Sequence, residues 1–429
     1  MTTPQEPRIG TPRIARANRG QMEWRVVAVD GMLPEDHVAR DVWAFVERLD
    51  LSALYGCVQA MEHQPGRPPI DPKILLALWI QAMLDGIGSA QEIDRFCRLH
   101  AAYRWICGGV SVNAHTISDF RRDNVETFQK VLVRSVAVLM HQGLVDLKRV
   151  AQDGMRVRAS AGAASFRRRA TLEECLQEAD EHVKELLAAD ADDATASKRQ
   201  RAARLRAAED RKARIEEALR QMPEIEAKKE QAKKKNPKKP ASKAEARAST
   251  TDPDARVMKM ADGGFRPAHN VQFATDTKSQ VIVGVDVNNS GSDHGNMSPM
   301  VEQIEANYGR RPAEMLVDGG FAVHHDIEKV SAAGTTVYAP VQQPRNPSCD
   351  PHVPKRGDSD EIAEWRTRMG TDEAKEIYKE RAATAECVNA QARGRGLTQF
   401  LVRGTDQVLG VALLAAIAHN FVRMLTLSG

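Results

Sequence analysis

Between residues 166 and about 249 the chain holds almost nothing but charged residues and Ala. Such a run does not form a packed interior of its own. The run has a period. Leu172, Leu176, Ala179, Val183 and Leu186 alternate four and three residues apart, and Leu205, Ala208, Lys212, Ile215, Leu219 and Met222 nearly repeat that spacing. Two antiparallel helices in a coiled-coil-like hairpin fit best. Lys228 to Ala248, broken by Pro237 and Pro240, reads as a basic linker with a nonspecific affinity for phosphate. A solvated linker is the equally simple alternative.

Residues 1 to about 30 hold Pro, Arg, Thr and Gly without periodicity and read as a flexible tail. From Leu33 to about Gly143 the pattern is helical. Pro34-Glu35-Asp36 opens a segment whose Val38, Val42, Phe45, Val46 and Leu49 share a face. Asp71-Pro72 starts a second, with Asp71 as N-cap and Pro72 at the first helical position. Ile93, Phe96 and Leu99 mark a third, and a long apolar helix runs from Phe128 to Met140. A Gly108-Gly109 turn precedes a polar, basic run holding His115, Thr116, Ser118, Arg121 and Arg122. Short helices around such a turn suggest a helix-turn-helix-like DNA-binding module over residues 31–145, with His115, Thr116, Arg121 and Arg122 on the DNA. A plain helical bundle with a charged surface fits the same pattern.

From Leu147 the period shortens. Leu147 to Asp153 reads as a strand, kinked at Gly154 and resuming over Arg156 to Ala159. Beyond the charged run, Asn270 to Thr275 and Val281 to Val287 form a hairpin across Thr277-Lys278-Ser279. A helix (Met300 to Tyr308), a strand (Glu314 to Phe321), a helix (Ile327 to Ala333), a strand (Thr335 to Ala339) and a last apolar helix (Val408 to Leu425) come next. With the charged run set aside, this order predicts an α/β fold. The expected architecture is an RNase-H-like mixed five-stranded sheet with flanking helices, preceded by an all-α DNA-binding domain and interrupted by the helical insertion. The sheet domain would begin at 146–165, pause over 166–250 and finish over 251–429.

In that order the first and fourth strands lie side by side. Asp153 is on the first and Asp318 closes the fourth, at strand ends where ligands bind α/β sheets. Tyr378 to Gly394 is rich in Ala and free of Pro, hence helical. At roughly 100° per residue, Tyr378, Arg381, Glu386, Asn389 and Arg393 fall within an arc of roughly 140°, so Glu386 can join the two aspartates. Three converging carboxylates repel, and a pair of Mg²⁺ ions relieves that repulsion. Two such ions activate an attacking oxygen and stabilise a leaving one in phosphodiester displacement. Tyr378, Arg381, Asn389 and Arg393 would then hold DNA phosphates, and Gly154, Gly319 and Gly320 would admit the DNA backbone. Asp-Gly at 153 and 318 is also what a plain turn looks like, and Asp276, Asp286 and Asp293 compete for the same role.

These motifs resemble the DDE transposases of bacterial insertion sequences, in which a helical N-terminal domain precedes an RNase-H-like catalytic domain. The resembling segments are Leu33 to Asn124, Val150 to Arg158, Asp252 to Asp286, Leu316 to Phe321 and Tyr378 to Arg393. Gln152-Asp153-Gly154 matches the first acid of that family and Asp318-Gly319-Gly320-Phe321 the second. Tyr378, Arg381, Glu386 and Arg393 match its Tyr-Arg-Glu-Lys signature, with Arg393 where Lys is usual. The exchange keeps charge but not geometry. The resemblance implies cleavage at the element's ends and transfer of the 3′-hydroxyl to target DNA. It also implies Mg²⁺ or Mn²⁺, two ions on Asp153, Asp318 and Glu386. Partners would be double-stranded DNA and a second copy of the chain, with the hairpin at 170 to 222 as candidate interface. A regulator that kept the fold without catalysis, and a nuclease that cuts without joining, are the other readings.

Composition bounds these expectations. A chain of 429 residues is expected to form two or three domains. Its 61 Lys+Arg against 58 Asp+Glu argue nothing about a polyanion by themselves, so only local basic runs count. Six scattered cysteines without a CxxC pair argue against a disulfide framework or a zinc site. The apolar runs Ile74 to Leu84 and Val408 to Ala418 are short for a bilayer. With no apolar signal core at the start, a cytoplasmic protein without a membrane partner is expected.

Overall fold

The computed structural model describes residues 28–56, 69–189, 198–235, 245–344, 346 and 348–428. The N-terminal tail up to residue 27 and the middle of the basic linker, 236–244, lie outside these residues.

Among the described residues seven α-helices come first: α1 (Val38–Glu47), α2 (Ser52–Gly56), α3 (Pro72–Leu84), α4 (Ala90–Leu99), α5 (Ala101–Cys107), α6 (Ala114–Asp123) and α7 (Val125–His141). Asp71 caps α3 by accepting from the Lys73 backbone N–H at 2.9 Å, with Pro72 in the first turn. Every residue of α3 from Ile74 to Met83 is buried, as a helix apolar on all sides requires. Ser89 and Asn113 cap α4 and α6. Gly108 and Gly109 both take positive φ between α5 and α6, where a side chain would be strained.

The sheet strands are β1 (Arg149–Arg158), β4 (Arg256–Lys259), β5 (Phe265–Asp276), β6 (Ile282–Asn288), β7 (Glu314–Leu316) and β8 (Thr336–Tyr338), while β2 (Phe166–Arg167) and β3 (Ala248–Ser249) form a separate pair. Among the described residues the main sheet has six strands, ordered β4-β5-β1-β7-β8 with β6 also on β5. At Ala268 the strand β5 pairs both Arg158 of β1 and Arg256 of β4, and along Asn270–Thr275 it pairs both β1 and β6. A strand has two edges, so β4 and β6 lie end to end on the edge opposite β1. β1 is antiparallel to β5 and parallel to β7.

Three expectations need correction. The sheet has six strands, not five, because Arg256–Lys259 is too short to display an alternating pattern. Gly154 makes no kink, since the pairing runs unbroken from Val150↔Asp276 to Arg158↔Ala268. The strand before Asp318 stops at Leu316, leaving the acid in the turn beyond.

The insertion is a hairpin of α8 (Arg169–Ala189) and α9 (Lys198–Lys235). Leu172, Ala179, Ile215, Ala218 and Met222 form its seam, and β2 paired with β3 closes its base. Lys228 to Lys235 is helix rather than linker.

Both faces of the main sheet are covered. On one side lie α10 (Met297–Tyr308), α11 (His324–Ala332) and α12 (Asp360–Gly370), the last unforeseen in the sequence. Asp326 of α11 caps α10 by accepting from the backbone N–H groups of Met297 and Ser298. On the other side the apolar α15 (Thr405–Ser428) packs against β6, α7 and α3. By length and composition α15 is able to cross a membrane, which the shorter apolar run in the sequence did not suggest, yet here it is the buried helix that joins sheet and helical unit. His419 and Asn420 on it hydrogen-bond the backbone of Gln280 and Ile282, clamping the β5–β6 turn.

Candidate active site

The site lies on one edge of β1. That edge pairs with β7 only at Arg149–Ala151 and is taken up again by Thr398 and Phe400 around Arg158. The stretch between them carries the acids. Ala151 stands opposite Leu316 as the last parallel pair; Asp153, still within β1, and Asp318, in the turn after β7, each lie two residues further on, near enough for their charges to interact.

Each aspartate is held by the backbone just beyond it. Asp153 Oδ1 accepts from the Gly154 N–H at 2.9 Å, and Asp318 Oδ1 accepts from the Gly320 N–H at 2.7 Å. Burial pushes the Asp153 carboxyl above the usual range; the Arg381 guanidinium opposes this, while the charges of Asp318 and Asp293 add to it. The Tyr378 hydroxyl donates to the Val317 carbonyl at 3.2 Å, beside the acid pair.

Asn389 is buried and donates from Nδ2 to Asp153 Oδ2 at 2.9 Å, so its amide holds a carboxylate. Its carrier is the interrupted helix α13 (Asp372–Arg381), a π turn (Ala382–Glu386) and α14 (Cys387–Gly394). In an unbroken α-helix, residues five apart point about 140° apart. The π turn absorbs one extra residue, and Arg381 Nη2 reaches Glu386 Oε1 at 2.7 Å. Arg381 is largely covered, with 14% of its side chain exposed, whereas Glu386 is 58% exposed. Glu386 therefore shares Arg381 with the acid pair rather than lying in it. Arg393 is exposed at the end of α14.

Behind the pair sits an acid that the sequence offered only as a competitor. Asp293 is buried and accepts from Asn270, Gln272 and Arg156 at 2.8, 2.8 and 2.7 Å. A Cβ at Gly154 would clash with its Oδ1. Its position in a polar loop gave no sign of this. Asp276 is occupied by Ser279 in the β5–β6 turn, and Asp286 lies on β6 opposite Gln272.

The helical unit divides the other expected residues. His115 is exposed, and Thr116 donates its backbone N–H to the Asn113 cap. Arg122 is exposed and tied to Asp119 and Asp123. Arg121 is a correction: it is buried, stacks 4.6 Å over the Trp79 ring and donates to the Gly88 carbonyl. Burial lowers its pKa to about 10. Its side chain packs the core of the helical unit.

Asp153 and Asp318 supply the hard oxygen donors that a divalent cation takes, and their mutual repulsion, which adds to the burial that raises Asp153, is what such a cation relieves. Among the described residues no three His, Cys, Asp or Glu side chains are grouped to hold a metal, and Glu386 is engaged by Arg381.

A family model described as a transposase domain (DUF772) matches residues 27–123, and one described as a transposase DDE domain matches residues 352–425. No curated protein and no solved structure matches the chain. The first match covers α1–α6, and the second covers the broken helix that carries Tyr378, Arg381, Glu386 and Arg393. One transposase match stands on either side of the charged insertion, and together they support the likeness of this chain to the insertion-sequence DDE transposases.

Proposed function

We propose that this transposase cleaves DNA at the ends of its element and transfers the freed 3′-hydroxyl to target DNA. Asp153, Asp318 and Glu386 are its acids, on a catalytic domain of RNase-H-like topology. The observation that carries this reading is the placement of Asp153 and Asp318 each two residues beyond the last parallel pair of β1 and β7, close enough for the charge of one to act on the other, with Asn389 fixing the first. The strand order, three antiparallel strands and then two parallel ones, supports the same topology.

Asp153 and Asp318 would hold Mg²⁺ or Mn²⁺, and Glu386 would complete the set once released from Arg381. Bound there, the cations would neutralise the carboxylates and polarise the oxygens of the phosphodiester being exchanged. The chain's own residues do the positioning. The Gly154 and Gly320 N–H groups and Asn389 hold the carboxylates in place. Arg381, freed from Glu386, can move its guanidinium onto a DNA phosphate, and Tyr378 packs against it. Residues 31–145 would hold the element's terminal repeats, with His115, Thr116 and Arg122 as contacts. The protein would act in the cytoplasm as a dimer joining two ends, with the α8–α9 hairpin as the candidate interface.

Labelled DNA carrying the element's own inverted repeats, incubated with Mg²⁺ and a target plasmid, tests this. Joined products are expected. Cuts without joining would point to a nuclease, and binding without cuts to a regulator of the element.

A further inference from the structure

A concavity of about 730 Å³ opens beside Gly154, on the flank of the acid pair. Arg156, Arg158, Lys259, Arg266 and Arg393 line it, drawn from β1, β4, β5 and α14. Two of these are anchored as walls: Arg156 on Asp293, and Arg266 on Asp262. Arg158, Lys259 and Arg393 are exposed and make no ion pair with any described residue. Elsewhere many surface cations are paired, as Arg134 with Asp50 or Lys130 with Glu126. Three unpaired cations facing one hollow repel each other, and a polyanion offsets that repulsion.

The rim adds an aromatic. Phe265 pairs across the β4–β5 hairpin with Lys259, and cross-strand partners stand on the same face. Its ring is 69% exposed. A basic groove with an exposed aromatic beside it is suited to a nucleic-acid strand whose bases are free to stack; in a duplex the base faces are already covered.

We infer that this groove holds the backbone of an unpaired DNA strand running from the acid pair, with a base stacked on Phe265. The inference rests on the DNA-processing function proposed above and adds a second DNA surface, separate from the helical unit. Neither the Tyr-Arg-Glu motif nor the first acid required Arg158, Lys259 or Phe265 to be there.

The test uses the full chain and a fluorescent oligo(dT) strand, titrated over a range of NaCl concentrations. The combined Arg158→Gln, Lys259→Gln, Arg393→Gln variant should flatten the slope of log K against log salt by about 2, three phosphate contacts at roughly 0.7 each. Phe265→Ala should weaken strand binding roughly tenfold and leave the slope unchanged. A blunt duplex should lose less from Phe265→Ala than the strand does. All four side chains are exposed, so folding is not at stake, and the charge-keeping Arg158→Lys, Lys259→Arg, Arg393→Lys variant should retain the wild-type slope. An unchanged slope in the Gln variant, or strand binding indifferent to Phe265, overturns the groove. Failure of the wild-type protein to bind any DNA would instead overturn the function on which the inference rests.

Discussion

Arg381 and Glu386 meet at 2.7 Å across a π turn, five residues apart on a helix that would otherwise turn them away from each other. The pair is partly in solvent, so its contribution to stability is small, about 0–1 kcal/mol. Its importance is chemical. Glu386→Gln should leave thermal unfolding unchanged and reduce strand cleavage by at least about 10³-fold, as loss of a member of a catalytic set does. Cleavage assays beside calorimetry separate the two effects. If the variant cut and joined as wild type does, Glu386 would have no place among the acids.

Asn389 ties α14 to β1 through Asp153. Removing the amide frees the carboxylate to rotate. Asn389→Ala should cost about 10- to 100-fold in activity, the usual range for an outer partner of a metal-binding group. Mn²⁺ binding should weaken over the same range, which a purely structural defect elsewhere would not produce.

Gly154 is placed where Asp293, Gln272 and Asn270 leave no room for a side chain. Gly154→Ala should destabilise the sheet unit by about 1–3 kcal/mol, read as a lower urea midpoint. A wild-type midpoint would mean that the Asp293 cluster can move aside.

Arg121 lies over Trp79 in the core. Arg121→Ala should cost about 2 kcal/mol of stability and leave the salt dependence of DNA binding as it was. Arg122→Ala should do the reverse, with the slope falling by about 0.9. Binding curves for the two variants settle which arginine faces DNA.

His419 sets a pH dependence. Burial holds its pKa down at about 4, against an ordinary 6.5, while its Nε2 hydrogen-bonds the Gln280 carbonyl. The unfolded chain thus takes up the proton first. Stability is fully present above about pH 6.5 and falls as pH drops toward 4, by roughly 3 kcal/mol. His419→Gln keeps a donor without the titration, so its stability should be flatter across that window in pH-dependent denaturation. A parallel decline in both proteins would assign the acid sensitivity to other groups.

The long-range organisation was legible where local chemistry dictates it. Asp71-Pro72 marks the start of α3, and the four-three spacing of Leu172 to Leu186 marks the hairpin. What escaped depends on contacts distant in sequence. Nothing in Ala-Ala-Thr-Ala between Arg381 and Glu386 announces a π turn. Arg121 looks like any basic residue on a polar helix until Trp79 is brought beneath it. Asp293 reads as a loop acid because Arg156, Asn270 and Gln272, which bury it, come from β1 and β5. Asn389 reads as one more polar residue on its helix face, since only folding brings Asp153 opposite it.

The π turn also makes this helix unequal in its response to changes of length. It already stores one residue beyond what an α-helical path needs. Deleting a single alanine from 382–385 would let the path relax to plain α-helix, with the arginine and glutamate four apart and still facing. Inserting one residue has no such reserve: it would rotate α14 by about 100° and carry Asn389 off Asp153. Shortening by one should be tolerated here, and lengthening by one should silence the enzyme.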